Sequence, residues 1–178
     1  TLNQAVEKMR GPVNTKIKLT IMRKGQDKPV ELTLTRDVIR VRAVRSNVEG
    51  DDVGYIRMTQ FNEQTTDGLK KAIADINAKI SKDKLKGYIL DMRNNPGGLL
   101  EEAIRVTSTF VEDGIVYRSV DRGGDSQPVA VRGDAVIPDL PMAVLVDYGS
   151  ASSAEIVAAA LRDNGRATVI GDTTYGTG

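Results

Sequence analysis

Twice along this sequence an apolar run ends in a turn rich in glycine or serine and passes straight into a helical pattern. Tyr88–Met92 (YILDM) leads through Asn94–Gly98 into a helix carrying Leu99, Ala103, Val106 and Phe110. Met142–Val146 (MAVLV) leads through Asp147–Ser150 into the alanine-rich stretch Ala151–Arg162. A run apolar on both faces must be covered on both faces, and strand–turn–helix crossovers supply that cover in parallel sheets. Val53–Phe61 reads as a further strand, and Leu69, Ile73, Ile76 and Ile80 lie at helical spacing after it. Ile115–Val120 and Pro128–Val131 read as short strands around a polar loop, and Ala167–Ile170 as a last strand. The alternation predicts an α/β core with mainly parallel strands.

The first residues follow another pattern. Leu2, Val6 and Met9 form one face of a helix that Gly11-Pro12 stops. Lys16–Arg23 and Val30–Thr35 alternate in polarity around a turn at Lys24–Asp27. One helix and a hairpin are too little for a core of their own, so this unit reads as the tail of a domain, joined onward through Asp37–Val41. No repeat or low-complexity tract is visible.

Composition removes several function classes. The 25 Lys+Arg balance 24 Asp+Glu for a net charge of +1, so no basic field points to nucleic acid. Runs such as Leu140–Val146 are too short to span a bilayer. The sequence begins at Thr1, which leaves open whether a leader once preceded it. With no Cys, thiol catalysis, disulfides and thiolate metal sites are excluded. With no His, a Ser-His-Asp triad cannot be built from this chain, and a serine nucleophile needs another base, such as lysine.

Three places can carry chemistry. At Asn94–Gly98, two glycines between strand and helix let backbone N–H groups face outward toward an anion or oxyanion, though an ordinary tight turn accounts for them as well. At Asp147–Glu155, three serines stand where a helix begins. Capping explains such serines; Ser150 is expected to cap, which leaves Ser152 early in the helix with no structural duty. Gly171–Gly178 is glycine-rich but lacks the lysine of a phosphate loop. Arg132-Gly133-Asp134 matches an adhesion tripeptide that arises readily by chance.

Taken together, these segments resemble the carboxyl-terminal processing peptidases, or tail-specific proteases, over nearly the whole chain. Gly87–Leu100 (GYILDMRNNPGGLL) is similar to the family segment GYILDLRNNPGGLL. Gly149–Ile156 (GSASSAEI) is similar to the nucleophile motif GSASASEI, with Ser153 and Ala154 exchanged, and Leu161–Ala167 resembles its sequel. The resemblance implies a crotonase-like core of ββα units at 38–178, incomplete at its C-terminus, after the C-terminal part of a PDZ domain at 1–37. It implies Ser152 as nucleophile, with oxyanion donors at Gly97–Gly98, chiefly Gly98, and at the N–H of Ser153. It implies a supporting role at most for Asp163.

The resemblance breaks at one position. The family's base is a lysine in a TFGKG loop, and the matching loop Thr174–Gly178 holds Thr177 there, 25 positions after Ser152. A threonine hydroxyl cannot take the serine proton at neutral pH, so impaired activity is expected. The resemblance implies a serine endopeptidase acting on proteins with exposed apolar C-terminal tails, without metal or organic cofactor and without nucleic acid. The alternative is an inactive homologue that binds tails; an acyl-CoA enzyme of the related crotonase type ranks below both. Family habit implies a periplasmic or otherwise exported location, with membrane attachment through other segments left open. Oligomeric state stays open too.

Overall fold

The computed structural model describes residues 1–26, 28–38, 42–133, 135–137 and 139–177. The chain forms two compact units, Thr1–Val41 and Arg42–Gly178.

In the first unit, helix α1 (Leu2–Met9) precedes strands β1 (Lys16–Ile21) and β2 (Val30–Thr35). The strands pair antiparallel, with Lys16 opposite Thr35 and Ile21 opposite Val30. The first ends at Ile21, two residues short of the expected Arg23. The Arg36 guanidinium ties helix to hairpin, donating to the carbonyl of Met9 at 2.9 Å and to Thr15 Oγ1 at 3.0 Å. Asp27 of the expected turn and residues 39–41 of the expected link lie outside the described residues.

The second unit carries β3 (Val44–Glu49), β4 (Val53–Met58), α2 (Thr65–Lys79), β5 (Gly87–Asp91), α3 (Leu100–Phe110), β6 (Ile115–Val120), β7 (Ser126–Ala130), β8 (Met142–Val146), α4 (Ser153–Asp163) and β9 (Thr168–Gly171). Five strands form a mixed sheet in the order β3-β4-β5-β8-β9, and β6-β7 is a separate hairpin. From β4 to β9 the strands run parallel; only the edge strand β3 is antiparallel. This strand was not anticipated. Its sequence, VRSNVE, has two partly buried valines separated by polar residues, too weak an alternation to stand out.

The core lies where helices cover the sheet. Leu69, Ile73 and Ile76 of α2, Val106 and Phe110 of α3, and Val157 and Leu161 of α4 are buried with Ile56, Leu90 and Val144 of the strands. Burying a side chain of this size contributes about 1.5–3 kcal/mol. β5 and β8 are parallel neighbours, with Tyr88 opposite Met142 and Asp91 opposite Leu145. Their two following turns therefore leave the same end of the sheet side by side, where α/β folds place their sites. Among the described residues no helix is long and apolar enough to cross a membrane.

Candidate active site

Buried Asn95 shapes the turn after β5. Its Nδ2 donates to the carbonyl of Met58 at 3.0 Å, and its Oδ1 accepts from the N–H of Gly97 at 2.9 Å. Gly97 and Leu99 then bracket Phe61: the N–H of Phe61 donates to the carbonyl of Gly97, and that of Leu99 to the carbonyl of Phe61, both at 2.9 Å. In such a parallel bridge the residue between the bonds turns its own N–H and C=O away from the partner. That residue is Gly98. Its carbonyl meets the hydroxyl of Ser153, which donates at 3.0 Å. The N–H of Gly98 has no acceptor among the described residues. The N–H of Gly97 is committed to Asn95, so of the two glycines named from the sequence only Gly98 has a donor to spare.

The turn after β8 is clasped to the first. Asp147 Oδ1 accepts from the N–H of Asn94 at 2.7 Å and from that of Gly149 at 3.0 Å. The N–H of Ala151 donates to the carbonyl of Asn95 at 2.9 Å. Gly97 packs directly beneath: a Cβ there would lie 2.7 Å from the Ala151 carbonyl oxygen and 2.8 Å from Ser152 Cβ.

The serine assignments change. Ser150 does not cap the helix. It is fully buried; its hydroxyl donates to the carbonyl of Met92 at 2.9 Å and accepts from the N–H of Asp147 at 3.0 Å, joining the two strand ends. Ser152 is the N-cap and α4 begins at Ser153, so Ser152 stands just before the helix rather than within it. Its backbone has φ 52° and ψ −120°, a conformation that disfavours any residue but glycine. Strain of this kind costs about 1–3 kcal/mol and persists only where surrounding contacts impose it.

Glu155 gathers what remains. Its Oε2 accepts from the N–H of Ser152 at 2.8 Å, the N–H of Thr177 at 2.8 Å and, at 3.4 Å, the Thr177 hydroxyl. Its Oε1 accepts from the N–H of Gly176 at 2.6 Å. Burial pushes the Glu155 carboxyl up, but the donors of Thr174, Thr177, Gly176 and Ser152 outweigh it and bring it down to about 2. The position named for the family lysine is thus bound to the same carboxylate as the backbone of Ser152. Gly178 of that loop lies outside the described residues.

Ser152, Ser153, Gly97, Gly98 and Thr177 therefore come together. Asp163 does not join them: it is exposed at the far end of α4, about 16 Å along the helix from Ser152, and pairs with Arg162. Among the described residues the N–H groups of Gly98 and Ser153 have no acceptor in the protein. No cluster among the described residues could hold a metal ion. Arg132 of the adhesion-like tripeptide donates to both carboxylate oxygens of Glu101, and Asp134 lies outside the described residues. Sequence reasoning missed Asn95, Asp147 and Glu155. A signal existed only for Glu155, three residues after a serine at a helix start.

Residues 52–178 match the model of peptidase family S41, and the chain belongs to that family. The whole chain is 51% identical to a carboxy-terminal-processing protease of Bartonella bacilliformis and 39% identical to one of Synechocystis sp.. It spans 41% and 42% of those relatives' lengths. Among solved structures, the photosystem II D1 C-terminal processing protease superposes over all of this chain and 49% of its own, with a TM-score of 0.70 and 26% identity. The motif resemblance and these comparisons agree on family and fold.

Proposed function

We propose that this chain carries the nucleophile of a serine endopeptidase that cuts proteins near their C-termini. One observation carries the reading: at a serine held in a strained turn at the head of a helix, the neighbouring N–H groups of Gly98 and Ser153 have no acceptor among the described residues. Ser152 Oγ attacks the scissile carbonyl, and the two N–H groups receive the oxyanion as it forms. The C–N bond breaks, the amine leaves with the serine's proton, and water hydrolyses the acyl ester. The N–H of Ser152 is not an oxyanion donor, because Glu155 holds it.

The proton must pass through a base. Thr177 cannot serve, since a hydroxyl binds a proton far too weakly at neutral pH. Activity of the protein as found therefore requires a base other than Thr177. Proteins with exposed apolar tails are the proposed substrates, residues 1–37 the C-terminal part of a tail-binding PDZ domain, and an exported location the proposed setting. The names of the relatives support processing at protein C-termini; the apolar tails, the PDZ unit and the exported location follow from the family resemblance alone.

The test uses full-length protein, as found and with Thr177→Lys, against a fluorophosphonate probe and an unstructured protein substrate, with Ser152→Ala as control. Labelling that disappears in Ser152→Ala supports the nucleophile. If only Thr177→Lys labels and cleaves, the protein as found is silenced at its base, and its function is to be sought in tail binding. Labelling that persists in Ser152→Ala rejects the assignment.

A further inference from the structure

A glutamate at the third position of a helix that accepts from the N-cap N–H is ordinary capping. Glu155 does this for Ser152, at 2.8 Å. Capping does not explain its other partners. The N–H groups of Gly176 and Thr177, 21 and 22 positions further on, both point at the same carboxylate, at 2.6 and 2.8 Å. A separate bond, from the N–H of Tyr175 to the carbonyl of Ser150 at 3.0 Å, brings the loop to the serine turn but leaves 176 and 177 unfixed. The carboxylate is what fixes them.

We infer that Glu155 is the positioning residue of this site: one carboxylate fixes the backbone of Ser152 and the backbone of residue 177 relative to each other. The inference rests on the nucleophile assignment above and extends it. Proton transfer in a serine–base pair tolerates little misplacement, about 100-fold in rate for 1 Å. Here one side chain ties the backbone of Ser152 to that of residue 177, the position that the resemblance gives to the base. Its ionised form is needed, because only a carboxylate accepts on both oxygens without presenting a donor. The depressed titration of Glu155 accords with this. Thr177 adds its hydroxyl to the same oxygen, at 3.4 Å, and so tightens the brace rather than serving the chemistry.

Glutamine tests the geometry in a graded way. Its one carbonyl oxygen can replace Oε2 and keep Ser152 and Thr177, whereas its amide would turn a donor toward the N–H of Gly176. Alanine loses all three. The experiment compares full-length wild type, Glu155→Gln and Glu155→Ala, each also with Thr177→Lys. It measures amide exchange at Gly176 and Thr177, fluorophosphonate labelling of Ser152 and, where substrate is cleaved, kcat and KM separately. Exchange is expected to accelerate at Gly176 alone in the glutamine variant and at both amides in the alanine variant, by about tenfold or more. Labelling and kcat should fall in the same order, with KM little changed.

Unchanged exchange in Glu155→Ala overturns the brace. Faster exchange with unchanged labelling and kcat reduces it to a structural contact and overturns the positioning role. If no background labels at Ser152, the nucleophile assignment fails, and the positioning role falls with it. The exchange arm then still reports separately whether Glu155 holds the loop.

Discussion

Ser153 donates its hydroxyl to the carbonyl oxygen of Gly98 across 55 positions of sequence. Neither residue's backbone N–H has an acceptor among the described residues. The bond therefore sets the spacing of the two N–H groups that a developing oxyanion would meet.

Removing that hydroxyl should loosen the pair without unfolding the protein. Ser153 is buried, but Gly98 is exposed, so its carbonyl can take water instead. Ser153→Ala is expected to cost about 1 kcal/mol in a urea titration, the worth of one neutral hydrogen bond. Fluorophosphonate labelling of Ser152 should slow by about tenfold, less than the 100-fold or more seen when an oxyanion donor is lost outright. Labelling at the wild-type rate would mean that the hydroxyl does not set the donor spacing.

Gly97 makes the opposite case, in which stability and reactivity fall together. Its φ of 90° suits glycine alone, and a Cβ would press on the Ala151 carbonyl, Ser152 Cβ and the Ser153 nitrogen at 2.7, 2.8 and 2.9 Å. Two of those three atoms are backbone and cannot swing aside. Gly97→Ala is expected to destabilise the protein by about 2–4 kcal/mol, combining backbone strain with overpacking. Chemical denaturation checks the stability and probe labelling the site. An alanine variant of wild-type stability would contradict the close approach of the two turns.

These cases also show what the sequence could reveal. The runs at Tyr88–Met92 and Met142–Val146 announce buried strands because both faces are apolar, and the glycines after the first announce a turn needing unusual backbone. Polar work done across long separations leaves no local mark. Asp147 holds Asn94 over 53 positions, and an aspartate after a strand reads as any loop residue. The roles of Ser150 and Ser152 were exchanged for a related reason. Either serine could cap a helix, and only the register of β8 against β5 decides that Ser150 reaches the Met92 carbonyl and is consumed there. Asp163 was carried by its distance along the chain, and the straight run of α4 takes it away from the site.

Behind the turns, Asp91 sets how the fold answers to acid. Its side chain is 1% exposed and accepts from Tyr55 at 2.5 Å, from Arg57 at 2.6 Å, and from the N–H, Nε and Nη2 of Arg93 at 3.0, 3.0 and 2.7 Å. Burial pushes its carboxyl up, but the donors of Arg93 and Tyr55, with the charge of Arg57, hold it well below the usual carboxylate range. A carboxyl depressed on folding adds stability above its unfolded pKa of about 3.9, and that stability drains away as pH falls below it. Asp91→Asn should cost about 3 kcal/mol at pH 7, the low end for breaking a buried pair, since Arg57 and Arg93 are partly exposed and can be hydrated. Below about pH 3.9 the gap between wild type and variant should narrow by about 1.4 kcal/mol per pH unit. Urea titrations of both proteins at pH 7, 4 and 3, read in parallel, check this. A gap that stays constant to pH 3 would show that Asp91 does not hold its charge on folding.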